Sequence, residues 1–172
     1  MEALDLYREA DIKFLLPEAI EVIGSSHFSP LSKKTIYNWN ERGIIRVEKD
    51  RYSGRAVFSP FDLLQLVLLT DIAYHGGLDP ARSAVAVRGI VDAWRKHCEA
   101  GKPLDEPMDW DINLEGESRK AKKPAERDRF PVLYLSVPLD IIASDLADAM
   151  FNFLRHRRPE EQSTIIATRK RW

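Results

Sequence analysis

The sequence predicts an α+β fold, mainly α, and three observations carry that expectation. Five stretches repeat apolar residues at helical spacing behind capping residues or prolines. A polar, glycine-tipped segment, Asp50 to Arg55, joins two short extended runs. One β-rich run, Phe130 to Val137, precedes a final amphipathic helix. The 172 residues are 44% hydrophobic and 31% charged, which are globular values and exclude wholesale disorder. No apolar run approaches the roughly 20 residues of a membrane-spanning helix, and Met1-Glu-Ala-Leu-Asp5 lacks the basic start of a signal peptide. A cytoplasmic protein without membrane contact is expected.

Taken in order, Ala3 to Tyr7 fits a helical turn and Asp11 to Leu16 a short strand. Pro17 suits the first position of a helix, where its missing N–H costs nothing, and Leu16, Ala19, Ile20 and Ile23 share one face. Gly24 ends that helix. Ser32 caps a second helix that runs to Arg42 and stops at Gly43. Ile44 to Val47 begins one extended segment and Ala56 to Phe58 ends another, which reads as a hairpin. Ser59-Pro60-Phe61-Asp62 combines a capping serine, Pro at the first position and an acid at the third. The helix it opens, Leu63 to His75, is apolar on nearly all sides and must be covered on more than one face.

Gly76-Gly77 ends it, and Pro80 opens another helix to Cys98 with Ala84, Val85, Val87, Val91 and Trp94 inward. Residues 101–129 hold three prolines and fifteen charged groups and read as a linker or long loop. After the strand Phe130 to Val137, the helix Asp140 to Arg157 turns Ile141, Ile142, Leu146, Met150, Phe153 and Leu154 inward. Ser163 to Thr168 fits a last strand. The expected organisation is a domain over 1–100, the linker 101–129, and a small β-α-β dimerisation or effector module over 130–172.

Net charge is −1, which argues against a purely electrostatic nucleic-acid binder. Its distribution is uneven. Residues 30–58 carry seven basic groups (Lys33, Lys34, Arg42, Arg46, Lys49, Arg51, Arg55) and three acidic ones, whereas 1–29 carry two and six. A short positive window in a neutral chain suits an element facing phosphate, or a solvated charged hairpin. Helix, turn, capped helix, hairpin, capped helix is the order of a winged helix-turn-helix. At 3.6 residues per turn, Leu31, Thr35, Ile36, Trp39 and Gly43 face inward, and Lys33, Lys34, Tyr37, Asn38 and Glu41 face out. Such a face suits the major groove, with cations on phosphate and Asn38 on a base edge. The bland alternative is an ordinary polar surface helix.

The stretch Ser32-Lys-Lys-Thr-Ile-Tyr-Asn-Trp-Asn-Glu-Arg-Gly-Ile-Ile45 resembles the recognition-helix signature of MerR-type regulators: a capping Ser, Thr-Ile, an aromatic four residues past the Thr, Arg-Gly and two aliphatics. Gly54-Arg-Ala-Val-Phe-Ser-Pro-Phe-Asp-Leu63 resembles the same family's wing exit. The chain departs from that family in four ways. Tyr37 stands at the family's usual basic residue after Thr-Ile, and Asn38 at the tyrosine that follows. The first turn, Gly24 to Ser32, is longer. Ala56 and Val57 stand at the paired wing arginines. No long coiled-coil helix follows Asp79. The resemblance implies a DNA-binding transcriptional regulator, with recognition helix 32–43 in the major groove and wing 46–58 on the backbone. The expected contacts to double-stranded DNA are Lys33, Lys34, Thr35, Tyr37, Asn38 and Arg42 on the helix, and Arg46, Arg51, Tyr52 and Arg55 on the wing.

One winged helix makes few base contacts, so a homodimer on paired half-sites is expected. The helix Leu63–Ile72 and the strand Val132–Val137 offer an apolar pairing surface. A DNA-architectural factor of excisionase or phage terminase-small-subunit kind shares this reading, and a degenerate winged helix binding protein instead of DNA is the third alternative. Cys98, the single cysteine, reads as a satisfied helix-end residue, and Trp39 as core. His27, His75, His97 and His156 have no zinc spacing, and Asp140, Asp145 and Asp148 read as a solvated face. No catalytic or nucleotide-binding motif is present. Neither an enzyme, nor a metal site, nor a cofactor is expected.

Overall fold

The helices start and stop on local chemistry. The structure, a computed structural model, describes residues 3–8, 12–26, 28–101, 108–113, 118–120 and 134–158. Helix α1 (Ala3–Arg8) leads into β1 (Phe14–Leu15) and α2 (Leu16–Gly24), where the Leu15 N–H donates to Glu18 Oε2 at 2.7 Å. In α3 (Lys33–Glu41) the Ser32 hydroxyl accepts from the Thr35 N–H at 3.1 Å. After β2 (Glu48–Lys49) and β3 (Ala56–Phe58), α4 (Pro60–Gly76) opens on a reciprocal pair, Asp62 N to Ser59 Oγ and Ser59 N to Asp62 Oδ2. It closes at Gly77, whose φ of 64° is left-handed and easy only for glycine. Asp79 caps α5 (Pro80–Ala100).

The architecture is α+β and mainly α. A small antiparallel sheet has the order β1-β3-β2, with Phe14 opposite Phe58 and Glu48 opposite Val57. Helix α4 is the centre of the core. Its Leu63, Leu64, Leu66, Val67, Leu68, Leu69 and Ile72 are all buried, against α1, α2, α5, α6 and β3. The apolar surface of this helix, expected to pair two subunits, is therefore used inside the chain.

Residues 101–129, expected as a linker or long loop, contain β4 (Asp109–Asn113) and β5 (Ser118–Lys120). β4 pairs antiparallel with β5 and with β6 (Tyr134–Pro138), setting Trp110 opposite Val137. The reason is a short alternation that the dense charge masks: Ile112 is fully buried and Trp110 half-buried. The expected strand over 130–137 thus begins, among the described residues, at Tyr134 and runs to Pro138. The strand expected over 163–168 lies outside them.

Helix α6 (Leu139–Arg157) packs on α1, α2 and α4, and one continuous core holds Leu146, Met150 and Phe153 together with Leu6, Phe14 and Leu63. The Tyr7 hydroxyl donates to the Ala143 carbonyl at 3.2 Å. Arg158 fixes the far end: its guanidinium forks onto the Glu18 carboxylate and donates to the Lys13 carbonyl at 3.0 Å. Two expected inward residues point out, Ile141 at 57% and Val85 at 70% exposure. Each stands two residues from the centre of its buried face, Ala143 and Val87, and so about 200° round the helix. Asp140, expected on a solvated face, is half-buried, with Oδ1 shielded from solvent.

The long connection between α2 and α3 is held by α4. Ser29, 4% exposed, donates its N–H to Asp71 Oδ1 at 3.0 Å and sets its hydroxyl 3.1 Å from His75 Nε2. Asp71→Ala leaves that N–H without its acceptor, at a cost of about 1–3 kcal/mol. The melting temperature is expected to fall by about 2–4 °C for each kcal/mol, measured by circular dichroism.

Candidate nucleic-acid interface

Burial of Ile36 and Trp39, behind Leu31, fixes which side of α3 faces out. Lys33, Lys34, Tyr37, Asn38 and Glu41 are exposed on that side, and Lys33 Nζ lies 5.6 Å from the Tyr37 ring centroid. The β2–β3 hairpin stands beside them. Its root is tied to the helix by the Val47 N–H, which donates to Asn40 Oδ1 at 3.0 Å. Its tip folds around Asp50, whose Oδ1 accepts from the Ser53 N–H at 2.6 Å and the Tyr52 N–H at 3.1 Å. The Ser53 backbone and hydroxyl, with Tyr52, hold the Asp50 carboxyl below its ordinary value. The tip therefore keeps its ionised anchor across the neutral range. Gly54 completes the turn at a φ of 67°, and Arg51, Tyr52 and Arg55 are left exposed, Tyr52 at 94%.

Of the ten expected contact residues, Lys33, Lys34, Tyr37 and Asn38 share the outer side of α3. Arg51, Tyr52 and Arg55 cluster on the hairpin beyond β2, and Arg46 is exposed at its root. Two stand apart. Thr35 is half-buried, with its hydroxyl 2.8 Å from that of Ser32 in the cap. Arg42, at the other end of the helix, lies 4.0 Å from Asp79, the cap of α5. Two residues missing from the sequence-based set belong to the same region. Lys49 and Asn40 line a cleft of about 760 Å³ between α2, α3 and the hairpin, with Lys33, Tyr37 and Arg55. Lys49 was visible in the charge count, but only the register of Lys49 opposite Ala56 turns it towards α3.

Elsewhere the described residues hold no group of three or more potential metal ligands, and no described helix is long and apolar enough to cross a membrane. Cys98 is 1% exposed, and burial pushes its thiol up to about 12. It stays protonated at neutral pH. Native protein is expected to react with a thiol-specific disulfide reagent at pH 7.5 only as fast as it unfolds, and denaturant should release one fast-reacting thiol. Rapid native labelling would contradict that burial. A search with family models and against curated proteins finds no match to this sequence.

Proposed function

We propose that this protein is a DNA-binding transcriptional regulator built on a MerR-like winged helix-turn-helix, without catalytic activity of its own. In this reading α3 enters the major groove and the β2–β3 hairpin is the wing that follows the backbone. One observation carries it. Lys33, Lys34, Tyr37 and Asn38 on the open side of α3 adjoin Lys49, Arg51 and Arg55 on a hairpin anchored to the same helix. The element order α1-β1-α2-α3-β2-β3 and the sheet order β1-β3-β2 favour a winged helix. Phosphate attracts such a set of cations, and a polar amide one turn inside the lysines suits a base edge.

Two copies on paired half-sites remain part of the proposal on the argument of limited base contacts alone. The test is binding to duplex DNA across a salt series. Each neutralised phosphate contributes about −0.9 to the slope of log K against log salt, so five cations give about −4 to −5. A slope near zero, or no binding at low salt, would reject the reading. Uniform binding to all duplexes with that slope would favour an architectural factor. The mass of the complex on a selected site reads the number of copies.

A further inference from the structure

The cleft between α3 and the hairpin has a feature that phosphate contacts do not require. Its floor is apolar: Leu15, Ile20, Val47 and Ala56 are only partly buried there, and Ile20, Val47 and Ala56 pack on the core from the cleft side. Around this floor stand Lys33, Lys49 and Arg55, and no carboxylate lines the cleft among the described residues.

Three acids beside the lining residues are already engaged. Asp50, next to Lys49, accepts from the Tyr52 and Ser53 N–H groups. Glu48, between Val47 and Lys49, pairs with Lys13 at 2.8 Å. Glu18, at the start of α2, takes the Leu15 N–H and the Arg158 guanidinium. Neither Lys49 nor Arg55 makes an ion pair with a described residue. A volume of about 760 Å³ falls within the roughly 300–1,000 Å³ of small-molecule sites, which typically combine an apolar lining with a few placed polar groups.

We propose that this cleft binds an apolar carboxylate, with the acyl or aryl body on the Leu15–Ile20–Val47–Ala56 floor and the carboxylate between Arg55 and the two lysines. The charge pattern selects the head group: three cations attract a carboxylate and repel a cation, and a neutral head gains from neither. Arg55 offers the planar fork that a carboxylate matches. Because Lys33, Tyr37 and Arg55 are also expected DNA contacts, a bound carboxylate would displace DNA. That consequence rests on the DNA-binding reading; the site itself does not.

The experiment is calorimetric titration of the full chain with dodecanoate below its micelle concentration, in the absence of DNA. Acetate and dodecyltrimethylammonium serve as the head-only and tail-only comparators. One saturable site is expected, with dodecanoate at least about tenfold tighter than either comparator, since an arginine–carboxylate pair and a buried tail each contribute on that scale. Ala56→Trp, which fills the cleft, should abolish the heat of binding, and Arg55→Ala should weaken it about tenfold. Ile20→Asn provides the same readout should the tryptophan variant fail to fold.

Equal affinity for dodecyltrimethylammonium would overturn the proposal. So would unchanged dodecanoate binding in a folded Ala56→Trp or Ile20→Asn protein. A labelled duplex is then added to the wild-type chain. Dodecanoate binding without duplex binding at any salt concentration upholds the cleft and rejects the DNA reading. Duplex binding without dodecanoate binding does the reverse.

Discussion

A chain cut after Ala100 is expected to lose its cooperative thermal transition and to expose apolar surface to a hydrophobic dye. The cut removes α6, and with it Leu139, Leu146, Met150, Phe153 and Leu154 from the shared core. Fully burying a side chain of this size stabilises by about 1.5–3 kcal/mol. Five of them rival the whole stability of an ordinary domain, about 5–15 kcal/mol. The cut also removes the entropy cost of ordering α6, but it strips cover from what remains. Phe14 loses its edge-on partner Phe153, at 5.9 Å between centroids, and Glu18 loses Arg158. The Tyr7 hydroxyl, fully buried, loses the Ala143 carbonyl. A sharp melt for residues 1–100 at a temperature near that of the full chain would instead establish an independent N-terminal domain.

The parts of this fold that were legible in the sequence are those decided by neighbours along the chain. Ser32, the Ser59–Asp62 pair and Gly77 set helix ends through contacts a few residues apart. The all-round apolar pattern of α4 likewise announced a helix covered on several sides. What covers it is another matter. Amphipathicity shows that α6 buries one face, but not that the partners are α1, α2 and α4, more than sixty residues earlier. The strand β4 was hidden because three residues, Trp110 to Ile112, are too short a pattern to stand out between charges, and its partner β6 is remote.

The candidate site divides the same way. The outer side of α3 follows from 3.6 residues per turn once Ile36 and Trp39 are taken as core. The cleft does not, because its walls come from residues 15–20, 33–40 and 47–56, which only the fold brings together.

Substitutions on α3 and the hairpin are expected to separate positioning from reading. The measurement is affinity for a selected duplex and for random duplexes, each across salt. Lys34 and Arg51 are exposed, and neither makes an ion pair with a described residue. Replacing either with Ala should weaken all duplexes alike and reduce the salt slope by about one. Asn38 lies one turn beyond Lys34 on the same exposed side, where a carboxamide suits adenine. Asn38→Ala should cost about 1–3 kcal/mol on the selected site, change random binding little and leave the slope intact. The control for folding is Trp39→Ala. Trp39 is buried in the core behind α3, and the backbone bond from the Ile44 N–H to its carbonyl at 2.9 Å does not depend on the ring, so the substitution removes packing alone. Its loss should cost about 3–5 kcal/mol of stability and weaken binding only as the melting temperature falls. Equal weakening of every duplex by Asn38→Ala and Lys34→Ala would mean that α3 touches phosphate alone, and an architectural role would then account for the helix better than regulation of a promoter.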